Sequence, residues 1–181
     1  AAVDHQRLRI VLGRRNKRPV VAERPINLVA DQYHVAPRGQ LCQATNLVFY
    51  GKTGVGKTGL ATGLLLKAME NGYRGAFVRA QDLFDEMYAS LADRSTRKLV
   101  RHLARLDLLV IDELGYLNVR PEQANVFFKL ISERYGKKST IITTNLDYTE
   151  WHHVFGSRLV EPLLSRMRHR CTTVHIDGPS L

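Results

Sequence analysis

No apolar run in this sequence approaches the roughly 18 residues that would carry a helix across a bilayer, and mean hydropathy is −0.22. A membrane-spanning helix is therefore excluded. Behind the opening Ala1-Ala2-Val3-Asp4-His5-Gln6-Arg7 there is no apolar signal core, so a cytosolic location is expected. Cysteine is scarce. Cys42 and Cys171 are the two in the chain, too few for a disulfide scaffold or a zinc site, and both read as small core or half-buried side chains in a reducing compartment. Acid is also short: 17 Asp and Glu stand against 27 Lys and Arg, a net charge of +10. Such a deficit favours a polyanionic partner such as nucleic acid, while saying nothing of fold. Internal repeats and low-complexity segments are absent. What remains is 181 residues, 44% of them hydrophobic, enough for one globular domain with a real core.

Residues 1–40 stand apart. They hold eight Lys or Arg, three Asp or Glu and three of the six prolines, with little periodicity. Arg14, Arg15, Lys17 and Arg18 cluster beside Pro19; they read either as a DNA contact or as a merely disordered basic arm. The segment is expected to belong to a DNA-binding or adaptor region, and residues 41–181 to form the main domain. From Asn46 the pattern becomes regular. Leu47–Tyr50, Ala76–Val78, Leu108–Ile111, Thr140–Thr143 and Thr172–Ile176 read as short buried strands. Helices are expected from Gly56 to Glu70, over about 81–92 and 95–106, and from Pro121 to about Tyr135. Leu60, Leu64, Leu65 and Ala68 form the inner face of the first helix; Phe127, Leu130, Ile131 and Arg134 form that of the last. Strands alternating with helices predict a parallel α/β sheet with right-handed crossovers.

Between the first strand and the first helix, Gly51-Lys52-Thr53-Gly54-Val55-Gly56-Lys57-Thr58 fits G-x-x-x-x-G-K-[ST] in full. Glycine lets backbone wrap closely around phosphate oxygens, and loop N–H groups with the helix N-terminus supply positive partial charge. ATP is the expected ligand, contacted by Gly51, Thr53, Gly54, Val55, Gly56, Lys57, Thr58 and Gly59. Lys57 is placed to neutralise the β- and γ-phosphates and the Thr58 hydroxyl to bind Mg²⁺. The run Leu108-Leu109-Val110-Ile111-Asp112-Glu113 ends an apolar strand on two acids. Asp112 is expected to hold Mg²⁺ through water, and Glu113 to polarise an attacking water as general base. An adjacent Glu favours hydrolysis over phosphorylation of a small molecule. At the end of the fourth strand, Asn145 either holds the lytic water or is a plain turn residue before Leu146-Asp147. Its order in the chain favours the first.

With these residues assembled, the chain resembles the AAA+ ATPases of the IstB/DnaC type, the helpers of IstA/IstB insertion sequences and the related bacterial helicase loaders. The similarity runs from about Asn46 to the C-terminus. It is carried by Asp107-Leu108-Leu109-Val110-Ile111-Asp112-Glu113-Leu114-Gly115-Tyr116, close to the family's D-L-L-I-I-D-[DE]-x-G-Y, and by Ile131-Ser132-Glu133-Arg134-Tyr135. Further carriers are Thr144-Asn145 with Glu150-Trp151 and Val154-Phe155-Gly156, then Leu163-Leu164-Ser165-Arg166-Met167, His169-Arg170-Cys171 and Ile176-Asp177-Gly178-Pro179-Ser180. The first and third of these resemble IstB proteins in particular, which favours a transposition helper over a helicase loader. The resemblance implies a three-layer P-loop NTPase core of the ASCE/AAA+ kind, with a parallel five-stranded sheet, the extra helix of the initiator/loader branch and no helical lid domain. It matches Asn145 to sensor 1 and Arg166 to the arginine finger that reaches a neighbouring subunit's ATP, with Arg158 a weaker candidate. It also implies a homo-oligomer with ATP at subunit interfaces, double-stranded DNA and an IstA-like transposase as partners, and a nucleoid-associated bacterial protein.

Arg94, Arg97, Lys98, Arg101 and Arg105 follow i, i+3, i+4, i+7, i+11, which gathers five like charges on one helical face. Either DNA phosphate lies there or the face is simply solvated. Lys52 and Thr53 replace the two prolines usual in the family's loop, and residues 1–40 do not align with it. The chain stops at Ser180-Leu181 where relatives continue through an Arg, and whether residues beyond Leu181 supply a further Arg stays open. A small-molecule kinase would need an acceptor pocket and a lid that no segment supplies. A non-hydrolysing ATP-binding scaffold is disfavoured by Asp112, Glu113 and Arg166 together. His152 and His153 are adjacent and cannot share a helical face as metal ligands, and Trp151 reads as a core anchor.

Overall fold

The structure is a computed structural model that describes residues 44–115 and 117–178. The described chain alternates strand and helix: β1 (Asn46–Tyr50), α1 (Lys57–Glu70), β2 (Gly75–Arg79), α2 (Ala80–Ala92), α3 (Thr96–Ala104), β3 (Leu108–Asp112), α4 (Pro121–Arg134) and β4 (Ser139–Thr144). A 3₁₀ turn (Tyr148–Glu150), α5 (Trp151–Phe155), α6 (Ser157–Arg168) and β5 (Cys171–His175) complete it. The strands pair in the order β2-β3-β4-β1-β5, every pairing parallel. No helix among the described residues is long and apolar enough to cross a membrane.

Strand periodicity builds the layers. In β3 all five residues are buried, and they divide by alternation. Leu109 and Ile111 face the larger core, while Leu108 and Val110 face the smaller one. On the smaller side α1 lies alone, its Ala61, Leu64, Leu65 and Ala68 against Phe49, Val110 and Ile141. On the larger side α2 to α6 pack Leu83, Met87, Leu103, Leu130 and Met167 around the sheet. An aromatic chain runs through it: the rings of Phe84 and Phe127 lie 5.2 Å apart, those of Phe127 and Phe155 5.2 Å, and those of Phe155 and Trp151 5.8 Å. Trp151 is buried, as an anchor should be, and His152 and His153 are exposed. Cys171 is half-buried, and burial pushes its thiol up from the ordinary value; Cys42 lies outside the described residues.

The helix expected over 95–106 is shorter than its pattern suggests. It starts at Thr96 after a turn in which Arg94 takes φ 61° and the Asp93 carboxylate accepts the Ser95 N–H at 2.9 Å. It ends at Ala104 because side chains from elsewhere take its last carbonyls. Arg134 donates to the carbonyls of Leu103 (2.7 Å) and Leu106 (2.9 Å), and Arg74 to that of Arg105 (2.9 Å). Arg94 and Arg105 therefore flank α3 instead of sharing its face, and the helix itself carries Arg97, Lys98 and Arg101.

Arg134 is 1% exposed. Besides the carbonyls of Leu103 and Leu106 it donates to the Ser139 carbonyl and, at 3.0 Å, to the Thr140 hydroxyl. Burial lowers its pKa to about 10, with Asp107 acting the other way. One guanidinium thus ties the end of α3 to the start of β4. Arg134→Ala would remove a donor from three carbonyls and from the Thr140 hydroxyl, at about 1–3 kcal/mol for each acceptor left dry and unpaired, so we expect a loss of about 3 kcal/mol or more. That is about 6–12 °C in Tm for a chain of this size, readable by thermal denaturation. Arg134→Lys, lacking the fork, should recover only part of it.

Candidate active site and family

The loop after β1 turns where the sequence puts glycine. A Cβ on Gly51 would stand 2.1 Å from the Ile176 carbonyl oxygen, so the backbone leaving β5 packs directly on this position. Gly54 and Gly56 take φ of 85° and 91°, conformations that glycine adopts without strain. Helix α1 then begins, with first-turn N–H groups that have no helical acceptor and face the loop. Lys57 heads it, its Nζ donating to the carbonyls of Gly51 (2.7 Å) and Lys52 (2.5 Å). Burial holds the Lys57 ammonium below its ordinary pKa, opposed by the charges of Asp112 and Glu113. An ammonium held this way favours an arriving anion.

Asp112 closes β3 and is 3% exposed. Its carboxylate accepts the Thr58 hydroxyl at 3.0 and 3.1 Å and the Thr143 hydroxyl at 2.6 Å. Glu113 leaves the strand with φ 59°. Its N–H donates to Thr143 Oγ1 at 2.8 Å, and the next N–H, of Leu114, donates to the Thr143 carbonyl at 2.9 Å. Two residues on, a Cβ at Gly115 would come within 2.5 Å of Asn145 Oδ1, so this glycine makes room for the Asn145 side chain.

These groups surround a cavity of about 450 Å³ lined by Thr53, Gly54, Gly56, Lys57, Thr58, Glu113 and Asn145, with Gly115, Thr143 and Thr144. Asp112 reaches it through Thr58. Gly51, Val55 and Gly59 belong to the loop and the first helical turn without lining it. Thr58 and Asp112 offer hard oxygen donors side by side. No cluster of three His, Cys, Asp or Glu exists among the described residues. That set suits Mg²⁺, which is held by one or two protein oxygens together with substrate phosphates. Chemically, the cavity can take a triphosphate along the loop and present a carboxylate, Glu113, to a water beyond it.

Other expected residues stand elsewhere. Arg166 lies half-buried on α6, its guanidinium 4.6 Å over the Phe128 ring and donating to the Pro162 carbonyl at 3.0 Å. Arg158 is exposed near the start of α6. Neither lines the cavity. Arg94, Arg97, Lys98, Arg101 and Arg105 are exposed, and Arg14, Arg15, Lys17 and Arg18 lie outside the described residues. Thr143 is the residue that sequence reasoning passed over within Thr143-Thr144-Asn145. Its signal was a hydroxyl at a strand end, with no indication of which strand it would lie beside.

The family model described as IstB-like ATP binding protein matches residues 35–181. The chain belongs to this family. Among relatives, it is 39% identical over 139 residues to the insertion sequence IS232 ATP-binding protein of Bacillus thuringiensis subsp. berliner, covering 76% of this chain and 56% of that one. It is 34% identical over 139 residues to the insertion sequence IS21 ATP-binding protein of Pseudomonas aeruginosa, covering 76% and 52%. The chain thus spans about half the length of the curated relatives it matches. Among solved structures it is similar to the crystal structure of the DnaC helicase loader, with a TM-score of 0.65, 30% identity and coverage of 75% of this chain and 80% of that one. The fold of this IstB-like chain is the P-loop AAA+ α/β type, with its sheet parallel and five-stranded.

Thr143→Val in this IstB-like chain keeps the side-chain volume but leaves Asp112 and the Glu113 N–H each one partner short. We expect nucleotide binding to persist while ATP turnover falls about 10–100-fold, the usual effect of losing an outer-shell partner. Thr143→Ser should stay near the parent rate. Fluorescent-nucleotide titration and phosphate release check the two halves.

Proposed function

We propose that this chain is the ATPase domain of an ATP-dependent DNA-binding regulator, one that assembles on duplex DNA with ATP and assists a transposase. The observation that carries the reading is the convergence of Lys57, Thr58, Asp112 and Glu113 on one cavity beside a glycine loop. The insertion-sequence relatives at 39% and 34% identity support the transposition context. The likeness to the DnaC helicase loader supports the alternative, a loader acting with a replicative helicase. Residues 41–181 make up the ATPase domain in this proposal, and residues 1–40 a separate basic segment.

In the proposed reaction the loop and first-turn N–H groups cradle the phosphates, and Lys57 neutralises the β- and γ-phosphates. Thr58 and Asp112 would hold Mg²⁺, which would offset triphosphate charge. Glu113, exposed to the cavity, takes the proton of the attacking water, and Asn145 orients that water. Water attacks the γ-phosphorus, the bond to the β-phosphate oxygen breaks, and ADP and phosphate leave. Arg166 acts on the neighbouring subunit's ATP. Its present contact with Phe128 is a cation–π pair worth about 0.5–1 kcal/mol at a part-exposed site, little against the 10³–10⁵ in rate that an arginine finger supplies in related hydrolases. The exposed Arg97, Lys98 and Arg101, with Arg94 beside them, meet DNA phosphates.

Glu113→Gln should retain ATP and remain as an oligomer on DNA; normal turnover in that variant would refute the base assignment. Lys57→Ala should abolish ATP-dependent assembly, measured by sedimentation. Arg166→Ala should bind nucleotide and lose turnover. Mixing these last two variants should restore part of the activity, since each supplies the half the other lacks, and an inactive mixture counts against a shared site.

A further inference from the structure

Because every strand is parallel, the turns that lead into the strands lie along one edge of the sheet, opposite the cavity. Contacts confirm their adjacency. Asp107, before β3, bonds Arg74, before β2, at 3.4 Å, and Lys138, before β4, at 2.6 Å. Across β1, the rings of Tyr135 and His169 lie 5.1 Å apart, and the Asn46 N–H donates to the Arg170 carbonyl at 2.9 Å.

The charge on this edge is one-sided. Arg74, Arg105, Lys137, Lys138 and Arg170 stand in the leading turns, against the single acid Asp107. Asp107 is already engaged by Lys138 and Arg74, whose hydrogen bonds, against the effect of burial, hold its carboxyl below the usual range. Glu70 and Glu133 sit on the last turns of α1 and α4, and neither lies within ion-pair distance of a described cation. Arg105, Lys137 and Arg170 are exposed and likewise unpaired with any described carboxylate. At the opposite edge the residues following the strands carry both signs, Lys52 and Lys57 with Glu113, Asp147 and Asp177. A row of like charges spread over five strands, about 19 Å at the usual strand spacing, repels itself unless a polyanion lies along it.

We propose that this edge is a second contact surface for duplex DNA, continuous with the basic face of α3 through Arg105 and engaging phosphates without reading bases. It rests on the DNA-binding reading above and extends it, giving DNA a path from α3 across the end of the sheet remote from ATP. About 19 Å matches the rise of some five to six base pairs at 3.4 Å each, so several phosphates fall within reach.

The test compares the parent chain with two triple variants, R105Q/K137Q/R170Q at the edge and R97Q/K98Q/R101Q on α3, binding a random-sequence duplex across a salt series. Each lost phosphate contact lowers the log–log slope by about 0.9, so the edge variant should lose up to about 2.7. Its ATP turnover without DNA should stay at the parent rate, which controls for folding. If the α3 variant flattens the slope while the edge variant binds as the parent does, the edge is not a DNA surface and the proposal falls. An edge variant with unchanged DNA binding but lost self-association in sedimentation overturns it in favour of a contact between copies. If the parent itself shows no salt-dependent DNA binding, the functional reading fails, a result distinct from either.

Discussion

One buried carboxylate organises the site. Asp112 is removed from water at the end of a fully buried strand, and a carboxylate there is tolerable only where hydrogen bonds replace its hydration. Two hydroxyls do so, from Thr58 on α1 and Thr143 on β4. Three segments far apart in the chain are thereby held to one point: the helix after the glycine loop, the acidic strand β3 and its neighbour β4. Loosening any of them exposes or strands the carboxylate, so the geometry of the cavity is coupled to the stability of the sheet.

Strand order explains why the polar groups meet. In β2-β3-β4-β1-β5, β4 lies between the strand that feeds the loop and the strand that ends in acids. Whatever follows β4 must emerge in the middle of the cavity. Thr143 and Asn145 do, the second admitted by the missing side chain of Gly115. The same parallel arrangement sends all the leading turns to the other edge, where the cations gather. A single topological choice thus separates an anhydride-handling end from a basic end, and helices α2 and α3 run on one flank of the sheet between them.

The loop was legible because it is local. Its glycines, Lys57 and Thr58 are contiguous, and their conformations follow from φ and helix-end chemistry alone. The acids were legible because an apolar run that ends on two charges marks a strand end. Thr143 was not, since its partner Asp112 comes from a strand 31 residues away and only the pairing order makes them neighbours. The length of α3 was hidden for a similar reason: Arg134 and Arg74, distant in sequence, take the carbonyls that would have extended it. The loop motif makes Gly51 a phosphate contact, but the packing of Ile176 on it depends on where β5 lies. Arg166 could be placed only by resemblance, because within one chain it has Phe128 and Pro162 as neighbours and no phosphate.

Glu113 shows how these constraints reach the chemistry. A non-glycine residue at φ 59° sits in a sparsely populated conformation that costs about 1–3 kcal/mol. Here the cost is offset by two consecutive N–H groups, of Glu113 and Leu114, both bonded to Thr143. Were the backbone to relax to an extended conformation, the strand would continue and the Glu113 side chain would follow the alternation of β3 into a protein layer. The kink instead turns it out into the cavity. The strained turn is therefore what places the carboxylate beside the loop, and Thr143, serving both that turn and the buried Asp112, makes the two acids a single unit with different roles.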